Sequence, residues 1–556
     1  MSLFKEKFII CSSIALLNIL LSVLFIIYED KWYAFLPFLA FSPLLSSINS
    51  ILLWGKNMLY GKDFSKFYRD TVSSYVYVVP CYNESEKEIT DTLDSLTTQV
   101  LTDKDKKVIF IVCDGKIKGR GNYKSTDRIL IEDILVKNIS NKIKFNSAYT
   151  TWDTNTNDLD LYNGFYNNIP FLLFIKNKNY GKRDGLVLIR RLLYLYNQKI
   201  DMNLMISDEL LHFVKSYLAI YFDDIVEYII GTDADTVFER NCTNELIKKI
   251  ESNRKTVGCV GFVNISHECY QFSPFTLYQN AEYIYAQCLK RQQQSELTHK
   301  VNCLSGCVQI LKVCGETCGD NILSRFNFKP PESANIFDQI RSYASEDRNH
   351  VCLMLSEFPY VETTQSLYAN AFTKIPMNFE VLFSQRRRWN LGATTNDLLL
   401  LTSPNILFYE RLSALANILT FVLAPFILVA TAVFIKTIIE YPSMLMLYLS
   451  IIIMIPFFYS ITIPLFVKRM TFREGMYYVM SYLFYVLTNS FMNIILYTYA
   501  ILQMDRLTWG KTRQVEKNKE ILIKTDKNTQ TDFILNIEEI DYNDFIFNNK
   551  EQETSV

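Results

Sequence analysis

The sequence predicts an α/β domain carried between membrane-spanning helices. Three observations point to it: apolar runs of bilayer length confined to the two ends, short β-rich runs alternating with helical patterns between them, and carboxylates or Pro-containing turns where most of those runs stop. A chain of 556 residues is long enough for two or three folding units. Its formal net charge of -1 leaves no broad basic field for a polyanion, which excludes nucleic-acid binding by bulk charge. Mean hydropathy just above zero is the average of long apolar runs and a charged middle.

The first run, Phe8 to Tyr28, follows Lys5 and Lys7, and a second extends from Trp32 to Trp54, so residues 1–55 are expected to form a transmembrane hairpin. A cleaved signal peptide is the competing reading, but the first run exceeds a signal core and the second would remain as a lone span. Lys56, Lys62, Lys66 and Arg69 follow the hairpin. The positive-inside rule therefore places the N-terminus and the middle region in the cytosol.

Residues 72–383 read as the α/β domain, with candidate strands Tyr75 to Val79, Val108 to Cys113, Phe171 to Ile175, Tyr228 to Thr232 and Val257 to Val263. The polar stretch Lys116 to Asn168 reads as an insertion with loops. An amphipathic interface segment is expected over 384–410. Further spans are expected at Leu412 to Ile435, Met444 to Phe466 and Met476 to Met504, making 411–513 a membrane region. The last run is too long for one upright span and is expected to break near Thr488, Asn489 and Ser490, because Asn489 and Asn493 in lipid need partners. Residues 514–556, rich in Asn, Asp, Glu and Lys, read as a disordered tail.

Twelve cysteines in a chain this long do not make the dense framework of a secreted disulfide scaffold. Cys303, Cys307, Cys314 and Cys318 could supply four thiolates to zinc. The buried strand expected from Val308 to Val313 would hold the two pairs apart.

Several strings carry chemistry. Pro80-Cys81-Tyr82-Asn83-Glu84 puts backbone donors, a ring and a carboxylate at a strand end, although a turn with an N-cap has the same look. Asp114-Gly115 ends the second strand and offers a carboxylate to a base or ribose, or makes an ordinary turn. Asp233-Ala234-Asp235 places two acids at i, i+2 after an apolar strand, where hard oxygens can meet a divalent ion on a diphosphate. In Ser345-Glu346-Asp347-Arg348 a carboxylate at a helix start can accept a proton from an attacking hydroxyl, or merely cap the helix. Gln385-Arg386-Arg387-Arg388-Trp389 can clamp a diphosphate beside an aromatic platform, or anchor an interface helix.

Taken in order, these strings resemble the signatures of processive family 2 glycosyltransferases, and most closely those of chitin synthases. Lys178-Asn179-Tyr180-Gly181-Lys182-Arg183-Asp184, Cys303-Leu304-Ser305-Gly306-Cys307 and Trp509-Gly510-Lys511-Thr512-Arg513 belong to the same succession. The resemblance implies a GT-A-type, Rossmann-like glycosyltransferase domain in the cytosol, set between transmembrane helices. It implies that Pro80, Tyr82, Glu84, Asp114, Lys182 and Asp233 bind the uridine diphosphate of the donor, with Gln385 and Arg388 on its diphosphate. Asp233 and Asp235 would hold Mg2+ or Mn2+, and Asp347 would be the catalytic base. Glu346, Trp389 and the loop Ser305, Gly306, Cys307 would meet the acceptor, and Trp509, Gly510 and Arg513 would gate the channel. Two residues depart from the pattern: Ser305 stands where Pro is usual and Ser345 where Gly is common.

The implied reaction is a single inverting displacement that joins N-acetylglucosamine from UDP-N-acetylglucosamine into a β-1,4 polymer passed across the membrane. The resemblance implies as partners that donor, the growing chitin chain and the lipid bilayer of the plasma membrane, with no nucleic acid; self-association is left open. A hyaluronan or cellulose synthase would share the framework. A polytopic transporter or receptor with a nucleotide-sensing domain is the rival of a different class.

Overall fold

The computed structural model describes residues 3–60, 71–100, 104–119, 121–266, 272–466 and 470–507. Lys62, Lys66, Arg69, the Trp509 to Arg513 string and the 514–556 tail lie outside the described residues. The chain forms two compact units, one with described residues from 71–240 and 311–323, the other from 3–60, 241–310 and 324–507. The expected 72–383 stretch is thus divided between them.

In the first unit, strands β1 (Ser74–Cys81), β2 (Lys106–Cys113), β5 (Ile169–Lys176) and β6 (Tyr228–Gly231) run parallel in the order β5-β2-β1-β6. Their near-continuous apolar sequences suit strands covered on both faces, and Val78, Phe110, Phe174 and Ile230 are buried. The helix Lys182–Asn197 packs so closely on the sheet that a Cβ on Gly185 would come within 2.9 Å of Val112. The expected looped insertion is corrected. Residues Ile139–Thr150 and Thr156–Tyr166 form β3 and β4, an antiparallel hairpin that extends the sheet beyond β5. Its mixed polar sequence has one wet face, with Ile143, Phe145, Leu159 and Leu161 turned into the core. The short strand β7 (Thr236–Phe238) follows the Asp-Ala-Asp turn.

The second unit holds β8 (Thr256–Ile265), paired in parallel with a later strand, Glu362–Thr373. Between them in sequence, Gln309–Lys312 is a strand separating the two cysteine pairs. Helices Leu3–Ile27, Met444–Leu465 and Phe472–Leu502 are long and apolar enough to cross a bilayer, and two bent pairs pass the same test. Their outward residues are apolar, with Leu16 68% and Leu487 76% exposed, which suits lipid and not water.

Three expected spans are corrected in shape. The Trp32 to Trp54 run is two helical pieces bent by 57°, and the Leu412 to Ile435 run is bent by 83° between Phe408–Val422 and Ala424–Glu440. Pro425 lies at the second of these breaks, and Asn18 from the first helix bridges the backbone groups that the bend separates: its Nδ2 donates to Val422 O at 2.9 Å and its Oδ1 accepts from Phe426 N at 3.0 Å. The last run does not break. Phe472–Leu502 is one helix of 31 residues, because Asn489 accepts a hydrogen bond from Tyr278 at 3.3 Å and Thr488 bonds back to Phe484 O at 2.8 Å.

Candidate active site

The parallel strands of the first unit all end on one edge, and that edge carries the residues expected to meet a nucleotide. Cys81 and Cys113 are register partners, so Tyr82 to Glu84 and Asp114 leave adjacent strands side by side. Glu84 folds back on its own turn, accepting from Tyr82 N at 2.6 Å and Asn83 N at 3.1 Å. Pro80 is the register partner of Val112. Downstream, Ser85 and Glu88 close a capping box on the helix Glu86–Thr97, the local signal that the turn-and-cap reading anticipated.

Asp114 is almost fully buried, and its partner is a residue that the sequence reading passed over. Lys176, with no exposed side chain, bridges Asp114 at 2.6 Å and Asp184 at 2.7 Å. Burial works against that ammonium, but the two carboxylates more than offset it and hold its pKa above the ordinary value. A lysine at the end of an apolar strand reads as solvent-facing; the signal available was its place between an acid at the neighbouring strand end, Asp114, and one in the first turn of the helix that follows, Asp184. Tyr180 N also donates to Asp114 at 3.3 Å. Asp233 follows β6, and its Oδ1 takes the Lys182 ammonium at 2.5 Å. Asp235 accepts from its neighbour Thr236 at 3.4 Å.

Among the described residues no three His, Cys, Asp or Glu side chains gather to hold a metal by themselves. Asp233 and Asp235 supply two hard carboxylates at one strand end. That donor set fits a divalent ion that draws its other oxygens from a diphosphate and water, and does not fit an all-protein cage.

The second unit carries the remaining residues. Asp347 sits in the first turn of the helix Glu346–Glu357, and its Oδ2 accepts the Gly306 N–H at 2.8 Å, tying it to the Ser305, Gly306, Cys307 loop. Glu346 is buried. Ser345 holds φ +50°, a left-handed conformation that explains why Gly is common at that position. Helix Phe379–Thr402 passes immediately behind it: a Cβ on Gly392 would lie 2.6 Å from Ser345 Cβ. Arg348 turns away from Asp347 toward Asn302 Oδ1 at 3.2 Å and Asp397 at 3.9 Å. Burial pushes Asp397 up to about 6 despite Arg348 and a bond from Asn417.

The arginine string divides its work. Arg386 is buried and forks onto Glu282, with Nε at 3.0 and 3.1 Å from the two oxygens and Nη2 at 2.5 Å. Its guanidinium also lies 4.1 Å from the Trp389 ring and contacts Gln385 Oε1, so Gln385 and Trp389 are both set by Arg386. The Tyr283 and Trp389 ring centres lie 5.9 Å apart. Arg388 is partly exposed, and its backbone carbonyl accepts from Ser345 Oγ at 3.3 Å. Sequence reasoning missed Glu282 and Asp397, which stand in no recognisable string. Trp509, Gly510 and Arg513 lie outside the described residues.

Strand-end acids, an i, i+2 acid pair and a helix-borne arginine string, on a chain with membrane-length helices, define a membrane glycosyltransferase. More narrowly, the chain belongs to the chitin synthase family: the model of the family described as chitin synthase matches residues 58–545. It is 36% identical over 453 residues to chitin synthase 8 of Gibberella zeae, covering 80% of this chain and 67% of that protein. It is 33% identical to chitin synthase 8 of Verticillium dahliae, covering 72% of this chain and 70% of that protein. Among solved structures, the mannosyltransferase PcManGT from Pyrobaculum calidifontis, in complex with GDP-Man and Mn2+, aligns at a TM-score of 0.37 and 12% identity, over 81% of this chain and 99% of that one.

Proposed function

We propose that this chitin synthase family member transfers N-acetylglucosamine from UDP-N-acetylglucosamine to the 4-hydroxyl of a growing β-1,4 chain, processively and with inversion. The Asp347 carboxylate takes the proton of the 4-hydroxyl, the hydroxyl oxygen bonds to the anomeric carbon, and the bond to UDP breaks with its electrons leaving on the diphosphate. One displacement turns an α donor into a β linkage. The observation that carries this reading is the grip of the Gly306 N–H on one Asp347 oxygen, which fixes the carboxylate plane at the start of a helix.

Tyr82, Glu84, Asp114 and Lys182 bind the uridine diphosphate, Arg388 and Gln385 its phosphates, and Trp389 stacks on the acceptor sugar. Asp233 and Asp235 hold Mg2+ or Mn2+, which when bound neutralises charge on the leaving diphosphate. The catalytic residues face the cytosol of a plasma-membrane protein, and the apolar helices carry the polymer outward through a polar and aromatic lining.

The test is Asp347→Asn in the purified full chain. Activity should fall at least about a thousandfold while UDP binding is retained. Full activity in that variant would remove Asp347 as the base, and a parent that binds UDP without consuming any UDP-sugar would favour a nucleotide-sensing protein without turnover.

A further inference from the structure

We infer that the β3–β4 hairpin belongs to the donor site, with Tyr149 and Asn157 as positioning residues that fix the loop from Asn177 to Gly181 and, through it, the nucleotide contacts. The inference rests on the donor-binding reading above and adds to it two residues from a segment that the strand-end strings do not include.

Tyr149 and Asn157 are register partners across the hairpin, and both are buried. The Tyr149 hydroxyl donates to Asp184 Oδ2 at 2.7 Å, the same carboxylate that holds Lys176. Burial, then the charge of Asp184, raises this phenol well above its ordinary value, so it stays a donor. Asn157 Nδ2 donates to the Tyr149 oxygen at 3.1 Å and to Lys178 O at 3.0 Å, while its Oδ1 accepts from Lys178 N at 3.1 Å. One side-chain amide therefore satisfies both backbone groups of Lys178, as a neighbouring strand would. Two residues on, Tyr180 N reaches Asp114, and two further on Lys182 reaches Asp233.

The hairpin is shaped to present this pair. Its register shifts between Phe145 and Tyr149, where Ser147 takes φ +47° and its N–H donates to Asp158 at 2.8 Å. Bulges of this kind bend a strand and re-aim a side chain. A hairpin that served only to cover the core would need neither the irregularity nor a buried phenol and amide aimed at a loop.

Equilibrium binding of UDP to the purified full chain in detergent micelles tests this, with turnover of UDP-N-acetylglucosamine measured beside it. Tyr149→Phe should weaken UDP binding and raise the donor KM by about tenfold, the loss expected for one hydrogen bond to a charged group, with kcat within about twofold of the parent. Tyr166→Phe is the matched control. It removes from the same hairpin a hydroxyl that donates to Asp94 at 2.7 Å, and should leave UDP affinity unchanged. Asn157→Ala should act as Tyr149→Phe does; if it does not accumulate, Tyr149→Phe alone decides. Parental UDP affinity in Tyr149→Phe, or an equal loss in Tyr166→Phe, overturns the inference. A parent that binds UDP but builds no polymer overturns the proposed reaction and leaves the Tyr149 comparison to be read by itself.

Discussion

Asp347 owes its orientation to the backbone around it. Ser345 takes a left-handed conformation that costs about 1 kcal/mol, and the turn it makes aims Asp347 at the Gly306 N–H. Ser345→Gly should relieve that cost and raise stability by roughly 0.5 to 1 kcal/mol without loss of turnover, measured by thermal unfolding beside a rate assay. Asp397 lies behind the same turn with a carboxyl pushed up to about 6. A raised carboxyl binds its proton more tightly in the folded state, so its contribution to stability is greatest below pH 4 and is lost as pH rises through about 6. The whole effect is at most roughly 3 kcal/mol. Asp397→Asn should therefore gain stability relative to the parent between pH 4.5 and 7, and a constant difference across that range would contradict the assignment. Neither residue is legible in its role from sequence: Ser345 stands out as a departure from a glycine position, but only the backbone angle gives the reason, and Asp397 lies in a helix where polar and apolar residues are mixed, with no motif around it.

Elements hold these residues by close approach. Gly392 lets the helix Phe379–Thr402 run against Ser345, and Arg386 on that helix is locked to Glu282. Gly392→Ala improves helix propensity but drives a methyl into Ser345, so turnover should fall about tenfold or more while UDP affinity holds. Glu282→Ala leaves a buried guanidinium without its carboxylate and should cost about 3 kcal/mol of stability, read by unfolding in detergent. The parallel strands were legible because each is a nearly unbroken apolar run that stops at a polar turn. The β3–β4 hairpin was not, since its wet face breaks up the apolar pattern and its buried polar residues resemble those of a loop. The final helix misled for a related reason: Asn489 suggests a break until Tyr278, far away in sequence, is seen to satisfy it.

Across the molecule, sequence order was informative where single strings were not. Pro80 to Glu84 taken alone is a capped turn, and the structure shows that cap alongside its place at the strand edge. The succession of strings led to the family that the match over 58–545 establishes. The bends at Ala40 and Leu423 escaped because hydropathy measures length and not direction, although Pro425 marked one of them. Asn138 and Asn264 lie in sequons, and on the proposed orientation, which puts both on the cytosolic side, neither should carry glycan; an endoglycosidase-sensitive shift in mass would reverse that orientation. Polymerisation of N-acetylglucosamine by this chain is read by offering the purified, membrane-reconstituted protein a panel of radiolabelled UDP-sugars and digesting the product with chitinase. Incorporation from UDP-N-acetylglucosamine alone into polymer that chitinase degrades is the predicted result, and a chitinase-resistant product, or one that needs a second UDP-sugar, would contradict it.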